Sequence, residues 1–161
     1  AMGRMYSAAV GKGATCNGRP LRTPAVAHLG DAVIGVSLGS CKHSIRHMTR
    51  LIEYLAQRVR KVRMFGATGL DIVQVASGAV SGLIQPRVRI WDFAAARVVL
   101  EEGGGAFHAA AGTEGAWQIV AAARPLFDSL VSILETHQAP SGASARPSAA
   151  GRVADANPCS L

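Results

Sequence analysis

The stretch from Arg89 to Gly105, R-I-W-D-F-A-A-A-R-V-V-L-E-E-G-G-G, decides how this chain folds. β-favouring residues lead into a single acid, Asp92, and a run of small and apolar residues follows until three glycines end it. This order predicts a strand, an acid, a buried helix and a glycine stop. Asp92 then falls at the helix start, where four backbone N–H groups lack partners within the helix. Two interpretations stay open: Asp92 is a plain helix cap, or its rigidly held carboxylate binds a cation or orients a phosphate.

A second helix start lies upstream, where Gly66–Gly69 (G-A-T-G) precedes L-D-I-V-Q-V-A-S-G. Thr68 and Asp71 have capping-box spacing, which predicts that Asp71 caps its own helix. The functional alternative is that the glycines let a ligand approach the free N–H groups of the first turn.

The rest of the chain alternates strand and helix signals, which predicts a layered α/β sandwich over residues 1–137. Turns at Gly11–Gly13 and Asn17-Gly18 predict an N-terminal β-hairpin. Other strands are expected at 31–37, 61–65, 79–84, 106–109 and 118–122, and other helices at 43–59 and 124–135. Pro86 is expected to interrupt its strand. Residues 138–161 are rich in Ala, Ser, Pro and Gly, which predicts a disordered tail.

Composition narrows the functional classes. The 161 residues are 49% hydrophobic, yet no apolar run reaches the roughly 18–20 residues that span a membrane. Three widely spaced cysteines predict free thiols in a reducing compartment, and so a cytoplasmic location. The net charge of +7 suits a small phosphorylated metabolite. The basic clusters lack interleaved aromatic residues, which argues against nucleic acid as a partner.

Three segments, in order, resemble the inositol monophosphatase family, which includes histidinol-phosphate and related small-molecule phosphatases. M-Y-S-A-A-V-G-K-G-A-T-C-N-G-R-P-L is similar to the family's "tA-x-x-G-x-GA-x-x-NG". F-G-A-T-G-L-D-I-V-Q-V-A-S-G is similar to "GS-x-a-l-D-l-x-x-VA-x-G", and W-D-F-A-A-A-R-V-V-L-E-E-G-G-G to "WD-x-AA-x-x-x-x-EAGG". The match covers residues 3–136 and implies the C-terminal half of that fold.

The resemblance implies a Mg²⁺-dependent phosphomonoesterase in which Asp92 is a metal ligand. The segment Gly66, Ala67 and Thr68 matches the part of the family that borders the substrate. Gln85 stands where the family has a substrate-contacting acid, seven residues before the acid of the W-D motif. Arg89 stands at a place that is often basic or His in the family. These residues are the expected substrate-binding set.

The same resemblance implies that the catalytic set is incomplete in this chain. Hydrolysis with two Mg²⁺ ions needs several converging carboxylates, and of the ten acids only Asp92 stands in a candidate ligand position. The family's D-P-x-D-G-T loop and its upstream Glu do not occur here. We therefore expect part of a longer protein or a truncated gene product, without catalytic residues and inactive alone. The alternative is a non-catalytic anion-binding or interaction module, and either form should expose apolar surface that favours homo-oligomers.

Overall fold

The computed structural model of the chain describes residues 3–38, 42–112 and 115–137. The predicted tail, 138–161, lies outside these residues. Eight strands and four helices are assigned within them. The strands are β1 (Tyr6–Ala8), β2 (Ala14–Cys16), β3 (Arg19–Leu21), β4 (Val33–Val36), β5 (Lys61–Arg63), β6 (Gly82–Val88), β7 (Ala106–Ala111) and β8 (Trp117–Ala122). The helices are α1 (Lys42–Ala56), α2 (Thr68–Ala76), α3 (Ile90–Glu102) and α4 (Arg124–Thr136).

A mixed sheet of five strands, in the order β5-β4-β6-β8-β7, forms the centre of the fold. β4 runs parallel to both β5 and β6, whereas β8 runs antiparallel to β6 and β7. The strand predicted at 31–37 is therefore interior, as its apolar residues on both faces indicated. The layered α/β prediction is confirmed.

Two apolar cores fill the two faces of this sheet. One contains Leu83 and Ile119 of the sheet together with residues of α2 and α3. The other contains Ile34 and Ile84 together with residues of α1 and α4. Alternate residues of β6 thus face opposite cores, as the twofold repeat of a strand requires. The functional residues of α2 and α3 consequently lie on one side of the sheet.

The predicted hairpin forms a separate antiparallel sheet, β1-β2-β3, that packs against α3. Asn17 and Gly18 connect β2 to β3, and both have positive φ, 50° and 76°. Two successive positive φ values are what a two-residue type I′ turn needs. Ala14 of β2 joins the core that α2 and α3 form with the central sheet.

The prediction that Pro86 interrupts a strand is wrong. β6 continues to Val88, and its register against β8 shifts between Gln85 and Val88. Proline has no N–H to donate, so it is tolerated where a bulge breaks the ladder. Arg87, inside the bulge, has φ 50°. The strand resumes at the Val88–Trp117 pair after the bulge and ends there, just before α3 begins.

No helix within the described residues is long and apolar enough to cross a membrane.

Candidate active site

The N-terminal ends of α2 and α3 lie side by side at one edge of the molecule. A Cβ placed on Gly69, in the first turn of α2, would lie 3.3 Å from the backbone oxygen of Asp92 in the first turn of α3. Each helix follows a strand of the central sheet, β5 or β6. The two segments that sequence analysis singled out are therefore brought together, as expected for ligand sites at strand C-terminal ends.

The loop Gly66–Thr68 forms one side of this edge. Gly66 has φ 96°, and both Gly66 and Ala67 are exposed. The N-cap of α2 is Ala67, which makes no side-chain capping bond, and Thr68 is the first helical residue. The capping box predicted for Thr68 and Asp71 is therefore wrong. Because Ala67 has no polar side chain, the first N–H groups of α2 remain donors for water or a ligand.

Asp92 forms the other side of this edge, one turn into a helix that begins earlier than predicted. α3 begins at Ile90, its N-cap is Arg89, and Asp92 is its third residue. The Oδ2 atom of Asp92 accepts the backbone N–H of Arg89 at 2.8 Å. The Arg89 side chain carries only donors, so it cannot return the bond as the cap of a capping box would. Asp92 is exposed, and a carboxylate that accepts one N–H keeps lone pairs for a cation.

Arg89 and Gln85 lie at different depths. Arg89 is half-buried, and its Nη1 atom lies 3.2 Å from where a Cβ on Gly115 would be, so the guanidinium extends toward the β7–β8 connection. Gln85 is only 1% exposed. It lies beneath the edge, on the α2 side of β6, and its role as a substrate contact stays a prediction.

Asp71 is a residue whose position local sequence analysis did not find. It is 1% exposed, and its Oδ2 atom accepts the Nε2–H of Gln85 at 2.8 Å. The carboxyl thus contacts β6 through Gln85, and the backbone of Ala67 and Gly66 at its own helix start also donates to it. Burial raises the pKa of Asp71, and hydrogen bonding from Gln85 and from the backbone of Ala67 and Gly66 opposes the rise. A polar residue inside the apolar run L-D-I-V was the signal that could have revealed it.

The two acids at the far end of α3 are used structurally. Glu102 accepts the backbone N–H groups of Gly11 and Gly13 at 2.8 Å each, which ties the β1–β2 turn to α3. Glu101 pairs with Arg97 at 3.0 Å. Over the described ranges, no three or more His, Cys, Asp or Glu side chains converge to hold a metal ion. Asp92 therefore remains a candidate ligand that the described residues do not complete into a metal site.

Large apolar side chains flank both helix starts. We call this set the apolar rim: Met64, Phe65, Leu70, Ile90 and Trp91, which are 54, 45, 64, 52 and 76% exposed. Solvent exposure of this many large apolar residues around one edge is typical of an interaction surface.

Comparisons with known proteins agree with the fold. The sequence model of the inositol monophosphatase family matches residues 1–139. The chain is 32% identical to inositol monophosphatase 2 of Homo sapiens over 108 residues, 63% of this chain and 36% of the human protein. The structure superposes on Mycobacterium tuberculosis SuhB with a TM-score of 0.75 and 28% identity, covering 83% of this chain and 55% of that one.

A second solved structure is SaIMPase-II with inositol monophosphate bound. It superposes with a TM-score of 0.72 and 27% identity, covering 83% of this chain and 54% of the other. The chain thus spans about half the length of the solved relatives and 36% of the human protein.

Proposed function

Because the chain belongs to the inositol monophosphatase family, we propose that it supplies part of a Mg²⁺-dependent phosphomonoesterase acting on a small sugar, polyol or histidinol phosphate. The observation that carries the proposal is the adjacency of the α2 and α3 starts, where Gly69 lies against the backbone oxygen of Asp92 and where Gly66, Ala67 and Asp92 are all exposed. Inositol monophosphate bound to SaIMPase-II supports a small phosphorylated metabolite as the partner.

In this proposal the loop Gly66–Thr68 borders the substrate. Gly66 and Ala67 are exposed, so hydroxyl or phosphate oxygens can approach their backbone closely. The N–H groups of the first turn of α2 and the positive end of the helix dipole favour an anion there. Arg89 adds a positive charge from the α3 side, and Gln85 supports the edge from beneath.

Asp92 is proposed as one ligand of Mg²⁺. A carboxylate oxygen is the ligand type that Mg²⁺ prefers, and the ion keeps several waters when protein ligands are few. Among the described residues, Asp92 belongs to no group of three or more His, Cys, Asp or Glu side chains that could hold a metal ion, so these residues do not by themselves fit a centre of two ions. We therefore propose that the 161 residues alone lack phosphatase activity and that the remaining ligands come from outside them.

The sharpest test joins this chain to the part of SaIMPase-II that it does not match and measures Mg²⁺-dependent phosphate release from inositol monophosphate. We expect the chimera to be active, the 161-residue chain to be inactive, and Asp92→Asn in the chimera to abolish activity. Asp128→Asn is the matched control, because Asp128 is an exposed acid of α4 on the opposite side of the sheet.

Two results would overturn the proposal. Robust Mg²⁺-dependent activity of the 161 residues alone would contradict the incomplete metal centre. A folded chimera in which Asp92→Asn retains full activity would contradict the ligand role of Asp92.

The second candidate function is a non-catalytic anion-binding or interaction module. It is favoured by the α2 start, where the N-cap Ala67 makes no side-chain capping bond, and by the single acid at the edge. Calorimetry with inositol monophosphate and with sulfate, each with and without Mg²⁺, separates the two functions. Binding that is indifferent to Mg²⁺ and to Asp92→Asn supports the module, whereas binding that requires both supports the phosphatase.

A cytoplasmic location is part of the same proposal. It rests on the odd number and wide spacing of the three cysteines, which suit a reducing compartment. Fractionation of cells that express the tagged chain tests it, and recovery in an oxidising compartment would contradict it.

A further inference from the structure

A buried polar pair joins α2 to β6 directly below the candidate site. Asp71 and Gln85 are each 1% exposed, and the Nε2–H of Gln85 donates to Oδ2 of Asp71 at 2.8 Å. Gln85 begins the β6 bulge, and Asp71 lies one turn after the loop Gly66–Thr68. The pair therefore connects the loop to the end of the strand that leads into α3.

Each partner keeps one oxygen atom without a hydrogen bond. These atoms are Oδ1 of Asp71 and Oε1 of Gln85, and both are buried. Buried polar atoms are nearly always hydrogen-bonded, so two orphans in a single contacting pair need an explanation. Both atoms are acceptors when Asp71 is ionised, and two acceptors cannot satisfy each other.

One added proton would give both oxygen atoms a hydrogen bond. A carboxylic acid and a primary amide can face each other through two hydrogen bonds, one in each direction. The amide N–H donates to one carboxyl oxygen, and the O–H on the other carboxyl oxygen donates to the amide oxygen. The first of these bonds is present between Gln85 and Asp71, and the second would use the two atoms that lack a partner, Oδ1 of Asp71 and Oε1 of Gln85.

We propose that Asp71 is a neutral carboxylic acid that shares a buried proton with Gln85, and that this acid–amide pair positions the loop Gly66–Thr68 against the end of β6. The second part of this proposal, that the pair positions the loop, rests on the function proposed for the loop. The proton comes from solvent when the chain folds, and no other bond changes.

The charges around the pair support a neutral Asp71. Burial is the largest influence on its pKa and raises it, and the groups that oppose the rise, the Gln85 amide and the backbone of Ala67 and Gly66, are uncharged. The ionisable residue of β6 is Arg87, which is exposed, and β8 has no ionisable residue. In α3, Asp92 is exposed, Arg97 pairs with Glu101, and Glu102 binds the hairpin turn. Without a cation beside it, a buried carboxylate is strongly disfavoured.

Infrared spectroscopy of the complete 161-residue chain at neutral pH tests the proton directly. We expect the carbonyl band of a protonated carboxylic acid, which disappears in Asp71→Asn and persists in Asp128→Asn. Absence of the band from the wild-type chain would overturn the proposal. An ionised Asp71 bridged to Gln85 by a buried water would give that negative result.

Two variants of Asp71 test the positioning role. Asp71→Asn keeps both hydrogen bonds, because its amide can donate to Oε1 of Gln85 and accept from Nε2. Asp71→Leu keeps the branching and the number of side-chain heavy atoms and loses both bonds. We expect the hydrogen-exchange rates of residues 67–69 to be unchanged in Asp71→Asn, and its urea midpoint at neutral pH to be no lower than that of the wild type, because Asn needs no proton on folding. Asp71→Leu should show faster exchange and a lower midpoint than Asp71→Asn.

If Asp71→Asn loosens the loop as much as Asp71→Leu does, the neutral pair is overturned. Gln85→Glu gives an independent test, because it places two buried carboxyl groups side by side. Loss of a shared proton would leave like charges together, so the stability of this variant should fall steeply as the pH rises, whereas that of Asp71→Asn should not. A stability of Gln85→Glu that does not depend on pH would count against the pair. None of these measurements uses phosphatase activity, so they can fail while the proposed function stands, or the reverse.

Discussion

The carboxylate of Glu102, in the last turn of α3, accepts the backbone N–H of Gly11 at 2.8 Å, although the two residues are 91 positions apart in the chain. Its other oxygen accepts the N–H of Gly13 at the same distance. The β1–β2 turn is thus held on the end of the helix whose start carries Asp92. These backbone hydrogen bonds lower the pKa of Glu102.

We expect Glu102→Gln to lower the stability of the fold at neutral pH, because the amide loses the charge and one acceptor oxygen. A depressed folded-state pKa contributes stability above the unfolded pKa of Glu, about 4.3, and that stability is lost as the pH falls through the folded value. Urea unfolding of both proteins at neutral and acidic pH measures this. The stability gap between them should close in acid, and Glu135→Gln, an exposed acid of α4, should show no such gap at either pH.

Gly78, which follows α2, gives a second prediction. It has φ 78°, and a Cβ on it would lie 2.3 Å from Cγ of Pro24. Gly78→Ala should therefore incur a left-handed backbone cost of about 1–2 kcal/mol and an overpacking cost of about 1–3 kcal/mol. Urea unfolding measures the sum.

Gly104→Ala is the matched control, since Gly104 has φ 91° with no atom within 4 Å of the Cβ position. It should show the backbone cost alone. Adding Pro24→Ala should recover part of the loss in Gly78→Ala, and equal losses in the two glycine variants would contradict the contact with Pro24.

The layered fold could be predicted because its signals are local. The Asn17-Gly18 turn and the alternation of strands and helices each depend on neighbouring residues. The start of α3 could not be predicted, because Ile90 and Trp91 favour strands by propensity. In the structure they are 52 and 76% exposed in the first helical turn. The β6–β8 ladder ends at the Val88–Trp117 pair, before Ile90, so tertiary structure overrides propensity.

Only the parts of the candidate site that lie within one local motif could be predicted from the sequence. The loop Gly66–Thr68 and Asp92 follow from motifs within one segment each. Asp71 could not be assigned, because its partner Gln85 lies 14 positions away on another element. A capping-box pattern describes local geometry only, and burial against β6 decided the side-chain direction.

The apolar rim predicts self-association of the chain. Leu70 and Trp91 are 64 and 76% exposed, and burial of apolar area drives association. Sedimentation velocity should show a weight-average coefficient that rises with concentration. The double variant Leu70→Asn with Trp91→Gln should reduce the rise. Val10→Asn, at an 83% exposed apolar residue of the β1–β2 turn, should not, and a compact monomer at every concentration would contradict the prediction.

Asp92 combines a structural and a proposed functional role, and two substitutions separate them. Its Oδ2 atom accepts the N–H of Arg89 at 2.8 Å, and an Asn side chain can accept the same bond. Asp92→Asn should therefore lose only the charge–dipole contribution, about 0.3–1 kcal/mol, whereas Asp92→Ala also loses the acceptor, about 1 kcal/mol more. Urea unfolding ranks the variants, and Mg²⁺-dependent phosphate release by the chimera with SaIMPase-II should be lost in both. A chimera that loses activity only in Asp92→Ala would mean that the carboxylate orders the start of α3 without binding the ion.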